Sequence, residues 1–151
     1  MPSAPLENLV RIGQLKREPP SRVEFDGLVR SGQIRLKDAQ NSTLGLESRF
    51  DLAYNAAHAL SLAALRWHGY RSENRYQVFQ CLVHTLALPP MEWRILDQAH
   101  RKRNLAEYEG NIDLDIALVE ALIRVVELVR NGVQKLGPVA ATASAPKKRG
   151  K

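Results

Sequence analysis

Residues 89 to 110 read PPMEWRILDQAHRKRNLAEYEG and carry the plainest helical signal in the chain. Pro89 and Pro90 open the segment, and a proline at the first helical position loses only an N–H group that has no helical partner. Gly110 or Asn111 follows as a stop signal. Between these limits one row recurs at steps of three and four: Trp93, Leu96, Ala99, Arg103 and Ala106. The spacing predicts a helix near 90 to 108 with one face in a core.

A second row of side chains forms a polar stripe on the same helix: His100, Arg103, Asn104, Glu107 and Tyr108. Such a stripe near a helix end is typical of a solvated surface, in which Arg101 to Arg103 complement the helix dipole. Arg103 also belongs to the apolar row, so we expect its guanidinium at the edge of the core. There it needs a carboxylate or phosphate partner.

The dipeptide Arg103-Asn104, followed by Glu107-Tyr108, resembles the R-N-x-x-x-H signature of HEPN domains, which are small helical domains of nucleotide-binding proteins. An earlier segment, from Arg49-Phe50 through Tyr54 to Gly69-Tyr70-Arg71, is similar to the first long helix of those domains. The resemblance covers roughly residues 35 to 132. It implies a homodimer that acts on RNA or nucleotides in a bacterial toxin–antitoxin or defence system, beside a nucleotidyltransferase-type partner protein.

Tyr108 stands where catalytic members of that family carry a histidine, which together with the arginine is associated with metal-independent cleavage of RNA. A tyrosine with an ordinary pKa of about 10 is a poor base at neutral pH. The resemblance therefore implies weakened or absent ribonuclease activity. If cleavage survives, the residue with a suitable pKa is His100, one turn before Arg103, so these two residues are the catalytic candidates.

Two hypotheses for the function follow. In the first, a dimer cleft binds RNA or a nucleotide through Arg103, Asn104, Glu107 and Tyr108. Arg103 holds phosphate, Asn104 orients it or caps the helix end, and Tyr108 stacks on a base or donates a hydrogen bond. In the second, the protein is a non-catalytic structural or protein-interaction subunit, in which Arg103 pairs with Glu107, Asp97 or a carboxylate of the last helix. The surroundings of Arg103 distinguish the two.

The remaining periodic segments predict an all-α protein, an up-down helical bundle of four to five helices. We expect the core helices near 43–68, 72–87, 90–108 and 112–135. Short polar residues before these segments are the expected N-caps: Ser42 or Thr43, Ser72, and Asn111 or Asp113.

The N-terminal part, residues 5–41, is expected to form short helices within the same domain, which spans 1–136. One of them begins after Ser21 and ends at Ser31-Gly32, and Ile34 to Ala39 add a turn or two. Residues 137–151 change to alanine, threonine, serine and proline and then to a basic end, so we expect a disordered tail.

Composition limits the other classes of function. The formal charge is +6, but the last seven residues supply four cations, and residues 1–144 carry 18 basic and 16 acidic groups. The basic character therefore belongs mainly to the tail. Cys81 is the single cysteine, within a helical run, so a packed thiol in a reducing, cytoplasmic protein is expected. No membrane span, metal motif or glycine-rich phosphate loop occurs, and no cofactor is predicted.

Overall fold

A computed structural model describes residues 3–110 and 113–140 of the chain. The described residues form an all-α bundle, which confirms the predicted fold class. Its helices are α1 (Ala4–Arg11), α2 (Arg22–Ala39), α3 (Leu46–Trp67), α4 (Arg75–Gln80), α5 (Leu82–Thr85), α6 (Pro90–Glu109) and α7 (Ile116–Leu136). Two short strands, β1 (Lys16–Arg17) and β2 (Tyr70–Arg71), pair antiparallel. None of the described helices is long and apolar enough to cross a bilayer.

The central element is α3, which packs against α2 on one side and α7 on another. Its buried face consists largely of alanines, and their small side chains allow neighbouring helices to approach closely. Arg49, near the start of α3, is buried and donates from Nε to the carbonyl oxygen of Ala39 at 2.8 Å. The residue thereby satisfies a free carbonyl at the end of α2. These contacts place α3 at the centre of the bundle, between α2 and α7.

The helix α2 is continuous through Gly32, so the predicted stop at Ser31-Gly32 is wrong. The reason is the approach of Leu60: a Cβ atom added to Gly32 would lie 2.5 Å from Leu60 Cγ. Glycine at this position reflects helix packing and not a helix end.

Three of the predicted N-caps are also wrong. The cap residue of α3 is Gly45, that of α4 is Asn74 and that of α7 is Asp115. Thr43 instead donates its backbone N–H and its hydroxyl to the side chain of Asn41, and Ser72 accepts from the backbone of Asn74. These local turns use the polar groups that a cap would need. Asn111, the other candidate for α7, lies outside the described residues.

The segment predicted as one helix over 72–87 is divided at Cys81 into α4 and α5. Cys81 is 1% exposed, as a packed thiol should be, and burial raises its pKa to about 11. The limits predicted for α6 are confirmed: Pro89 is the cap residue, Pro90 opens the helix, and Gly110 ends it in the left-handed conformation with φ of 70°.

A buried ion-pair network joins α2, α3 and the strand pair. Arg66 is 1% exposed and donates from Nε to Glu24 at 2.8 Å. The rest of its guanidinium binds main-chain carbonyl oxygens of Glu18 at 2.9 Å and of Pro19 at 2.7 Å. Arg71 completes the network by pairing with both Glu18 and Glu24.

Candidate functional site

Helices α3, α4 and α6 bring three polar side chains onto one buried aromatic ring. Tyr54 of α3 is 1% exposed, and the guanidinium carbon of Arg103 lies 4.9 Å from the centre of its ring. The guanidinium carbon of Arg75, from the start of α4, lies 5.7 Å from the same centre. His100 stacks on Tyr54 with ring centres 6.2 Å apart. We call Tyr54, Arg75, His100 and Arg103 the Tyr54 cluster.

His100 is held by hydrogen bonds at both of its ring nitrogens. Its Nδ1 lies 2.9 Å from the hydroxyl of Tyr54, and its Nε2 lies 3.2 Å from the side-chain amide of Asn104. A neutral imidazole donates from one nitrogen and accepts at the other, and a tyrosine hydroxyl or an asparagine amide group can meet either need. Both tautomers of His100 therefore satisfy this chain of contacts.

Burial lowers the pKa of His100, and the nearby cations Arg75, Arg101 and Arg103 lower it further, whereas Asp97 opposes the shift. Burial raises the pKa of Tyr54. Both groups therefore favour their uncharged forms at neutral pH. The two guanidiniums are the cationic members of the Tyr54 cluster.

Arg103 lies partly buried at the edge of the core, but among the described residues it lacks the carboxylate partner that the second hypothesis requires. Its Nη1 atom is buried and has no hydrogen-bond partner in the part of the chain that the structure describes. Asp97, one expected partner, instead accepts from Tyr76 at 3.0 Å and from Arg101 at 3.2 Å. The second carboxyl oxygen of Asp97 is thus used by a neighbouring cation.

A cleft of about 280 Å³ lies beside Arg103 between α3 and α6. Phe50 and Ala106 form its apolar part, and its rim carries the exposed carboxylates Glu47, Asp51 and Glu107. Glu107, predicted as a site residue, therefore shares a cleft with Arg103 without an ion pair between them. The carboxylates are open to solvent, which screens their effect on Arg103.

Tyr108 is the predicted site residue that lies apart from the rest. Its side chain is 90% exposed, so it is available to a ligand but belongs to no buried pocket of the structure. Of the predicted residues, the structure brings His100, Arg103 and Asn104 together around Tyr54.

Arg75 was missed by sequence reasoning. Its side chain donates to Asn55 at 3.3 Å and forms no ion pair with a described carboxylate. Arg75 and Arg103 lie 28 positions apart in the chain, and no motif links them. Only the packing of α4 on α3 and α6 shows that both arginines contact one ring.

Within the two described ranges, no group of three or more histidine, cysteine, aspartate or glutamate side chains is placed to hold a metal ion. Comparisons with protein-family models, with curated proteins and with solved structures find no match to this chain. The chemistry of the Tyr54 cluster therefore has to support any assignment of function.

Proposed function

We propose that the protein is a HEPN-like module that binds phosphate groups of RNA or of nucleotides at the Tyr54 cluster. The proposal rests on two guanidinium groups that lie over the Tyr54 ring, those of Arg75 and Arg103. Among the described residues, neither group forms an ion pair with a carboxylate. Arginine offers a planar set of N–H donors that matches phosphate oxygens, and two of them can hold one phosphodiester from two sides. The buried Nη1 atom of Arg103 is a donor that has no acceptor among residues 3–110 and 113–140.

The neighbouring groups suit the polar parts of a nucleotide. Asn55 and Asn104 border the cluster and provide amide donors and acceptors. Tyr108 offers an exposed ring for stacking on an unpaired base, as single-stranded RNA-binding proteins use. The carboxylates beside Arg103 repel a phosphate that approaches from the side of Glu107. We therefore assign the phosphate to the side of Arg103 that faces Arg75.

We infer that ribonuclease activity is weakened or absent. A general base needs a nitrogen within hydrogen-bond reach of the proton that it removes. The two nitrogens of His100 are occupied by Tyr54 and Asn104, and Tyr108 is an exposed phenol. Cleavage would require the contact between His100 and Asn104 to open first.

The test of binding is fluorescence anisotropy with a labelled single-stranded RNA, using the full chain. We expect Arg103→Gln and Arg75→Gln each to weaken binding by about fivefold to tenfold and to reduce the salt slope by about one unit, because one phosphate contact is lost. Arg94→Gln is the matched control, since Arg94 is exposed on α6 outside the cluster. A variant in which the basic residues of the tail are changed to Gln measures how much of the RNA affinity is independent of RNA sequence. The residues changed are Lys147, Lys148, Arg149 and Lys151. Equal binding by Arg103→Gln and Arg94→Gln would rule out the proposed site.

A separate assay tests catalysis. Purified protein is incubated with mixed RNA in excess EDTA, and wild type is compared with His100→Gln and Arg103→Ala. We expect all three to leave the RNA intact. Degradation by wild type that both substitutions abolish would make the site catalytic and would refute the inference of a weak or absent nuclease.

The alternative function is a non-catalytic structural or protein-interaction subunit. The observation in its favour is a row of exposed apolar side chains along α6 and α7: Met91, Leu105, Ile116 and Leu128. Met91 and Leu128 line one cleft between the two helices, and exposed apolar surface shared by two elements is typical of protein contacts. The internal ion pair between Arg103 and Glu107, which this hypothesis first invoked, is not formed.

A further inference from the structure

The cleft of about 280 Å³ between α3 and α6 continues the Tyr54 cluster along the same two helices. Arg103 lines this cleft and also lies over the Tyr54 ring. Glu107 follows Arg103 on α6 at i+4, which is about 6 Å farther along the helix axis. A ligand whose phosphate lies between Arg75 and Arg103 therefore has the cleft within about one helical turn. We call it the Glu107 cleft.

The rim of the Glu107 cleft carries three carboxylates, those of Glu47, Asp51 and Glu107. All three residues are exposed, and none forms an ion pair with a residue that the structure describes. Like charges that lie close together repel each other, so this arrangement does not stabilise the bundle. An ionised carboxylate accepts hydrogen bonds and cannot donate them. A ligand group that binds at this rim must therefore be a hydrogen-bond donor.

Arg103 adds the opposite requirement, deeper in the same cleft. Its Nη1 atom is buried and has no acceptor in the described part of the chain. A buried N–H group without an acceptor costs free energy, which an oxygen atom of a ligand would recover. Residues at i and i+4 are neighbours on a helix surface, so the acceptor for Arg103 and the donors for Glu107 have to lie side by side on the ligand.

Guanine is the RNA base that best matches this order of groups. Its Watson–Crick edge presents the acceptor O6 and then two adjacent donors, N1–H and the N2 amino group. Uracil presents an acceptor and one donor, but a second acceptor follows. Adenine and cytosine each place an unprotonated ring nitrogen beside their amino group, and that nitrogen would face the carboxylate. Only guanine offers a carboxylate two donors at once.

The lining of the Glu107 cleft also suits a flat aromatic base. Phe50 and Ala106 form its apolar part. Apolar and aromatic surface of a base is favourably removed from water by contact with such side chains. The carboxylates at the rim repel a phosphate but not an uncharged base. The cleft therefore favours the base of a nucleotide over its phosphate.

We propose that the Glu107 cleft binds a guanine base, so that the ligand of the protein is a guanine nucleotide, either free or at an unpaired position of RNA. Arg103 donates from Nη1 to O6, and the two carboxyl oxygens of Glu107 accept from N1–H and from the N2 amino group. Arg75 and the other N–H groups of Arg103 hold the phosphate. This inference rests on the proposed function for the phosphate, whereas the choice of base depends on Glu107.

Isothermal titration calorimetry of the full chain with three nucleotides tests the choice of base. The probes are guanosine, inosine and adenosine 5′-monophosphates. We expect the guanine nucleotide to bind about tenfold or more tightly than the adenine nucleotide, because a carboxylate paired with two donors discriminates strongly between bases. Inosine lacks the N2 amino group, so its nucleotide should have an intermediate affinity. Equal affinities for all three would overturn the proposal and leave phosphate binding at the Tyr54 cluster intact.

Two substitutions separate recognition of the base from recognition of the phosphate. Glu107→Gln should lower the preference for guanine over adenine to about one, because the glutamine amide presents N–H groups to the guanine donors. Arg75→Gln should weaken both nucleotides about fivefold to tenfold and keep their ratio. Glu109→Gln is the matched control, since Glu109 is an exposed carboxylate of α6 that does not line the Glu107 cleft. A preference for guanine that survives Glu107→Gln would refute the role of Glu107.

Two further comparisons identify the source of the base and test the cleft without phosphate. Short labelled single-stranded RNAs that differ only by guanine or adenine at one position should differ in affinity by about tenfold if the ligand is RNA. Equal RNA affinities, together with tight binding of the free guanine nucleotide, would identify a mononucleotide ligand. Guanosine, which has no phosphate, should bind more tightly than adenosine to wild type and to Arg75→Gln alike. Equal binding of the two nucleosides to wild type would overturn the guanine site, whatever the result for phosphate.

Discussion

The hydroxyl of Tyr54 lies 2.9 Å from Nδ1 of His100, and this bond joins the buried face of α3 to the outer edge of α6. Removing one partner of a buried hydrogen bond leaves the other group with nothing to replace the hydrogen bonds that it made to water in the unfolded chain. We expect Tyr54→Phe to lower the free energy of unfolding by about 1 to 2 kcal/mol in urea at neutral pH.

A double-mutant cycle with His100→Phe isolates this bond from the other contacts of the two rings. The coupling energy between the two substitutions should be at least about 0.5 kcal/mol, as for residues in direct contact. Strictly additive effects would contradict a hydrogen bond between them.

Gly32 and Gly27 are two glycines of one helix with different surroundings, so they make a matched pair. A Cβ atom at Gly32 would meet Leu60 at 2.5 Å, whereas a Cβ at Gly27 would have no atom within 4 Å. We expect Gly32→Ala to destabilise the protein by about 1 to 3 kcal/mol through overpacking. Gly27→Ala should stabilise it by about 0.5 to 1 kcal/mol, because alanine is the better helix former. Thermal unfolding measures both, and equal effects at the two sites would refute the close packing of α2 on α3.

The sequence predicted the fold class and the long helices because a sustained 3.6-residue pattern reports directly on a buried helical face. The predictions from the sequence were wrong where one residue type can have two structural roles. Gly32 was interpreted as a helix stop, but it is a contact point for Leu60. Thr43 and Ser72 were interpreted as caps, but they belong to turns that precede their helices. Those differences depend on tertiary contacts, which local sequence does not contain.

Only part of the candidate site could be predicted from the sequence, because the rest depends on contacts between helices. His100, Arg103 and Asn104 were found because they lie within one turn of a single helix, where spacing fixes their relative positions. Arg75 was not found, because its approach to Tyr54 depends on how α4 packs. Neither did the sequence show that Asp97 binds Arg101 and Tyr76, which leaves Arg103 without that carboxylate.

Arg66 supports the next prediction, because its buried charge is matched by several partners at once. Substitution by methionine removes one of the two arginines that pair with Glu24 and leaves two carbonyl oxygens without this donor in a partly buried place. We expect Arg66→Met to cost about 3 to 5 kcal/mol in chemical unfolding. The comparison is Arg22→Gln, which removes an ion pair with Asp26 whose side chains are 81% and 65% exposed. That change should stay within about 0.5 kcal/mol, because exposed pairs contribute little. Similar losses in the two variants would show that the Arg66 network is not buried as described.

His58 gives the stability of the protein a dependence on pH. Burial, with a smaller effect from the charge of Arg75, lowers the pKa of His58 from 6.5 to about 4. Between these two values the unfolded chain binds more protons than the folded one, so the free energy of unfolding falls as the pH falls. The stabilisation is complete above pH 6.5 and is lost progressively toward pH 4. At pH 5 the loss from this one group should be about 2 kcal/mol.

Urea unfolding of wild type at pH 7 and at pH 5 measures this difference, and His58→Gln should reduce it by the contribution of His58. Glutamine cannot take up a proton in this range, so its effect on the unfolding free energy is nearly the same at both pH values. His84→Gln changes an exposed histidine on the neighbouring α5 and should keep the wild-type difference. A wild-type stability that is unchanged between pH 7 and pH 5 would mean that His58 is protonated at little cost. Its side chain would then be open to water and not packed against Phe79, whose ring centre lies 6.3 Å away.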